Sequence, residues 1–75
     1  MIASSLENRV TSRKQELITE IVELKLSSRL DAVETIHRLK ARLSDLATIV
    51  NEGVVDGWAN VGARTRRRLD AWVAR

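Results

Sequence analysis

From residue 6 onward, apolar residues recur with the period of an amphipathic helix. Leu6, Val10, Leu17, Ile21 and Leu24 form one stripe, flanked by Ile18 and Val22, and Arg13 shares it. An arginine there either carries its charge outward along its aliphatic stem or pairs across the contact. Ser4 and Glu7 have capping-box spacing, which predicts that the helix starts there. A second stripe, Ile36, Leu39, Leu43, Leu46 and Val50, has the 3-4-3-4 spacing of heptad a and d positions.

Two architectures compete for the segment between the stripes, Lys25-Leu26-Ser27-Ser28-Arg29-Leu30-Asp31. In the first, Ser28 and Asp31 form a second capping pair, with Asp in place of the usual Glu, and the chain breaks near 26–28. In the second, an eleven-residue period of 4-3-4 spacing runs from Leu6 to Val54. A single helix over 4–51 would then be roughly 70 Å long at ~1.5 Å per residue. Leu26, Leu30 and Val33 favour the hairpin, because a straight rod would turn them away from the common stripe. In the hairpin, Leu26 and Leu30 are expected to pack at the corner.

Asn51-Glu52-Gly53-Val54-Val55-Asp56-Gly57 marks the clearest boundary. Gly53 suits the position just past a helix end, and Asp56 suits an N-cap. A third helix over about 57–74 would then carry Trp58, Val61, Leu69, Trp72 and Val73 on one face. The expected fold is all-α: a helical hairpin, helices about 4–26 and 28–51, plus a third C-terminal helix. The whole is one domain, 1–75, expected to oligomerise through its coiled-coil-like stripes.

Size and composition sharpen this picture. A 75-residue chain buries a modest share of its surface. Small domains compensate with disulfides, metals or oligomerisation. Cys is absent, which removes disulfides and thiolate metal sites, and a single His cannot build a His-based site. Pro, Phe and Tyr are also absent, and Trp58 and Trp72 are the only aromatic residues. No apolar run approaches the ~20 residues of a membrane span, and no signal-peptide pattern opens the chain, so the expected location is cytoplasmic. Arg outnumbers Lys ten to three, a bias associated with GC-rich bacterial genomes.

The net charge of +3 is unevenly placed. Residues 61–75 hold five Arg and one Asp, whereas residues 1–50 hold eight basic and seven acidic groups. Arg64, Arg66, Arg67 and Arg68 could contact phosphate, since the guanidinium fork donates paired hydrogen bonds. They wrap round the helix rather than forming a stripe, so a solvated face paired with Glu20 and Glu23 is the plainer expectation. Trp58 and Trp72 could anchor a membrane-interface or partner-docking helix. Packing against the hairpin is the plainer expectation for them too.

Glu34-Thr35-Ile36-His37 matches the Glu-x-x-His element of helical di-metal sites, with Glu20 or Glu23 as a further carboxylate. These groups border the apolar stripe or lie away from it, and metal ligands should point inward. Neither a phosphate-binding glycine loop nor a nucleophile motif is present. No cofactor, metal, catalytic residue or small-molecule substrate is therefore expected.

The leading functional expectation is a non-enzymatic interaction module that self-associates or docks on a larger protein. Its expected interface residues are Leu17, Ile21, Leu24, Ile36, Leu39, Leu43, Leu46, Val50, Trp58 and Trp72. The second is a nucleic-acid-binding accessory protein using the Arg cluster. The third is a peripheral membrane protein using the Trp/Arg segment.

Overall fold

The computed structural model describes residues 5–27 and 30–74. The chain is all-helical: α1 (Ser5–Leu26), α2 (Ala32–Gly53) and α3 (Ala63–Ala74), with a 3₁₀ turn at Trp58–Asn60 before α3. Ser4 and Ser28, expected to cap the first two helices, lie outside the described residues.

The hairpin is the architecture adopted, and the continuous rod is not. Helix α1 ends at Leu26, and Ser27 N–H donates to the Leu24 carbonyl at 3.1 Å in a tightened final turn. Asp31 precedes α2 as its N-cap residue, and its carbonyl accepts the Thr35 N–H at 3.2 Å. The Asp31 backbone is already helical and its side chain makes no cap hydrogen bond to α2. The expected Ser28–Asp31 capping box involves Ser28 and lies outside the described residues.

The corner is also more open than the pattern suggested. Leu26 is 83% exposed and Leu30 fully exposed. The reason lies in the helical repeat: Leu26 falls about 180° round α1 from the Leu6–Leu24 stripe, and the turn ends before it can fold back. Burial of α1 is therefore confined to Leu6, Val10, Leu17 and Ile21.

The third helix begins at Ala63, later than the expected 57. Asp56 does not cap it. The segment reverses direction so that α3 can run back along the hairpin, and a helix from 57 would carry it away. Gly57 makes the reversal with φ 89°, a conformation glycine adopts readily. Asn60 Nδ2 braces the turn by donating to the Asp56 carbonyl at 3.1 Å, and Val61 is extended. The Gly62 carbonyl then accepts the first α3 bond, from Arg66 N–H at 2.9 Å.

Gly53 ends α2 for a reason of packing. It is the last helical residue, and a Cβ there would lie 2.8 Å from Thr65 Cβ and overlap Thr65 Oγ1 and Cγ2. The first turn of α3 crosses directly over the end of α2, and only a hydrogen at position 53 allows that approach.

Candidate interaction surfaces

Leu6, Val10, Leu17 and Ile21 of α1 meet Leu39, Leu46 and Ile49 of α2 and Leu69 and Trp72 of α3 in one core. Five of the expected interface residues, Leu17, Ile21, Leu39, Leu46 and Trp72, are thus buried inside the chain. The other five, Leu24, Ile36, Leu43, Val50 and Trp58, are half-buried against that core. The stripes close on one another within a single chain.

Helix α3 is fixed at both ends. At its start Thr65 seats over Gly53. Near its end Arg42 Nη2 donates to the Trp72 carbonyl at 2.7 Å, and Trp72 Nε1 donates to the Arg42 carbonyl at 2.8 Å. The same guanidinium carbon lies 5.4 Å from the indole centroid, within cation–π range. Two exposed ion pairs flank the helix: Arg9–Asp70 at 2.7 Å towards α1, and Arg68–Glu52 at 3.1 Å towards α2.

Trp58 and Trp72 therefore do not share a helix face. Trp58 sits in the 3₁₀ turn and is half-buried, and Trp72 is buried on α3. Membrane insertion through these indoles would require unpacking them from the bundle.

The Arg cluster is divided. Arg68 pairs with Glu52, not with Glu20 or Glu23 as expected. The crossing at Gly53 fixes the reason, because it holds the start of α3 at the end of the bundle remote from Glu20 and Glu23. Arg64, Arg66 and Arg67 are exposed and make no ion pair among the described residues.

The contacts of α3 define one side of the hairpin. They reach Arg9 of α1 and Arg42 and Glu52 of α2. At 3.6 residues per turn, Glu16, Glu20 and Glu23 of α1 project to that side. Glu34, Asp45 and Glu52 of α2 do the same.

Among the described residues, no helix lies over the opposite side. That side carries Ile18 and Val22 from α1 and Val33, Ile36, Leu43 and Val50 from α2. Ile18, Ile36, Leu43 and Val50 are half-buried, whereas Val22 is 50% and Val33 65% exposed. The chain's three lysines, Lys14, Lys25 and Lys40, lie on this open side. All three are exposed and make no ion pair among the described residues. Glu7, in the first turn of α1, is the one carboxylate that the described residues of the two helices place there. Sequence periodicity gave both stripes but not this partition, which depends on which side α3 occupies.

Glu20, Glu23, Glu34 and His37 are exposed, and no group of three or more His, Cys, Asp or Glu converges among the described residues. No described helix is long and apolar enough to cross a membrane. The chain matches no protein-family model, no curated protein sequence and no solved structure. Its functional reading rests on geometry and chemistry.

Proposed function

We propose that this protein is a non-enzymatic interaction module that docks through the open side of its hairpin. The observation that carries this reading is the one-sided placement of α3. Helix α3 covers part of one side of the hairpin. The other side, with no described helix over it, leaves Ile18, Ile36, Leu43 and Val50 half-buried and Val22 and Val33 exposed. Leu26 and Leu30, exposed at the hairpin end, extend the apolar surface. Contiguous exposed aliphatic surface of this kind commonly marks a contact site. The interface moves from the core of the stripes to their open margin, where Ile36, Leu43 and Val50 remain from the expected set.

The test is the double variant Val22→Asp/Val33→Asp. Both side chains are exposed, so its melting temperature should match that of the parent chain. Affinity capture from the native host, with proteins identified by mass spectrometry, should recover a partner with the parent chain and lose it with the variant. Recovery of the same proteins by both would sink the reading.

A second reading, nucleic-acid binding, is supported by the contrast within the Arg cluster. Arg68 has an acidic partner, whereas Arg64, Arg66 and Arg67 are exposed without one among the described residues. Exposed arginines of this kind suit phosphate contact.

A further inference from the structure

The charge on the open side specifies what docks there. Lys14, Lys25 and Lys40 border the aliphatic residues Ile18, Val22, Val33, Ile36 and Leu43, and only Glu7 at one end opposes them. The carboxylates of both helices otherwise lie on the α3 side, where Arg9 and Arg68 of the exposed ion pairs stand among them. A second copy of the chain is a poor occupant. A two-fold contact sets the same patch against itself, so lysines would face lysines with only Glu7, among the described residues, to answer them. An anionic lipid surface is also a poor match. Membrane-interface helices use large apolar groups such as Trp, and both Trp of this chain are packed elsewhere.

We infer that the open side binds an acidic amphipathic helix of a different protein, laid in the groove between α1 and α2. Its aliphatic residues would pack on Val22, Val33, Ile36 and Leu43, and its flanking Glu or Asp side chains would meet the three lysines. Helix-in-groove docking of this type takes its affinity from apolar anchors and its selectivity from the charged margins. This inference rests on the open-side docking proposed above.

The experiment uses the full chain and two synthetic helical peptides matched in length to α1. Each carries Leu along one face. One has Glu on both flanks and the other has Lys. Fluorescence anisotropy measures binding, and amide chemical-shift mapping locates it. The Glu peptide should bind, weaken as salt rises, and shift amides around Val22, Val33 and Ile36. The Lys14→Glu/Lys25→Glu/Lys40→Glu variant should lose affinity for the Glu peptide by about tenfold or more. The same variant should gain affinity for the Lys peptide, a reversal that misfolding cannot produce.

Equal binding of both peptides at the open side would overturn the acidic-partner inference and leave the docking reading standing. Failure of both peptides to bind, or shifts confined to the α3 side, would overturn the two together. Reversible dimerisation of the parent chain that Val22→Asp/Val33→Asp abolishes would overturn the choice of a different protein. Open-side shifts on adding anionic phosphatidylserine vesicles, with none from the Glu peptide, would reassign the face to a lipid surface.

Discussion

Arg42 and Trp72 exchange hydrogen bonds: the guanidinium donates to the Trp72 carbonyl at 2.7 Å, and the indole N–H donates to the Arg42 carbonyl at 2.8 Å. One residue pair thereby satisfies three demands. The buried indole finds an acceptor, a carbonyl in the last turn of α3 finds a donor, and a cation sits at the negative end of that helix. Trp72→Phe keeps the aromatic packing in part and loses the donor. It should cost about 1–3 kcal/mol, from a lost hydrogen bond and a partial cavity. A double-mutant cycle with Arg42→Ala, followed by urea unfolding and circular dichroism, should give a coupling energy of about 1 kcal/mol. Additivity within ~0.3 kcal/mol would show that the two residues act independently.

Gly53→Ala should reverse a familiar trend. Replacing a helical glycine by alanine ordinarily stabilises by up to about 1 kcal/mol. Here the new methyl meets Thr65, so the change should destabilise by about 1–3 kcal/mol, the usual scale of overpacking. Adding Thr65→Ala removes the Oγ1 and Cγ2 overlaps but leaves a Cβ 2.8 Å away, so it should recover only part of the loss. A thermal melt in which Gly53→Ala is as stable as the parent chain would refute the close crossing.

Leu6 and Leu17 on α1 and Leu69 on α3 are wholly buried. Truncating any of them to alanine should cost about 2–5 kcal/mol. For a domain of this size that is a large share of total stability. Leu30→Ala, at a fully exposed position, should stay within about 0.5 kcal/mol of the parent chain. Chemical denaturation of the four variants side by side checks the contrast.

The ion pairs should matter little. Arg9 and Asp70 are 51% and 44% exposed at their side chains, and Arg68 and Glu52 are exposed to a similar degree. Exposed pairs contribute about 0–1 kcal/mol. Arg9→Ala and Arg68→Ala should therefore shift the unfolding midpoint slightly, and less still in high salt. A larger loss that persists in high salt would point to packing by the arginine stems instead.

For the nucleic-acid reading, Arg64→Ala and Arg67→Ala are the informative changes. If these side chains contact phosphate, each removal should lower the slope of log affinity against log salt by about 1. Absence of any mobility shift with duplex or single-stranded nucleic acid at low salt would dismiss that reading.

The sequence carried the hairpin as the favoured of two architectures, because the out-of-phase Leu26–Val33 segment turns away from the common stripe of one straight helix. It placed the end of α2 near 51 with Gly53 just past it, whereas Gly53 is the last helical residue. It misplaced the start of α3, because Asp56 and Gly57 have the composition of a helix start and the need to reverse direction is a tertiary fact. It pointed to Gly53 but not to its role, since the reason is Thr65 on another element. The interface residues were read from apolar periodicity, which marks what is buried without saying by which chain. The open side required knowing where α3 lies, and only then did the segregation of Lys14, Lys25 and Lys40 from the hairpin carboxylates acquire meaning.

Helices α1 and α2 have 22 residues each and α3 has 12, so the third helix spans about half the length of the hairpin. Its closest links, Gly53–Thr65 and Arg42–Trp72, run from the end of α2 remote from the turn to its middle. Protection against hydrogen exchange should accordingly be graded along each long helix. Amides near Leu46 and Ile49 should open only with global unfolding, and those near Val22 and Val33 should open through local fraying at lower cost. Val22 and Val33, the most exposed aliphatic residues of the docking side, would then sit on the half of the hairpin most able to adjust its shape on contact, and binding should be read as a slowing of exchange there.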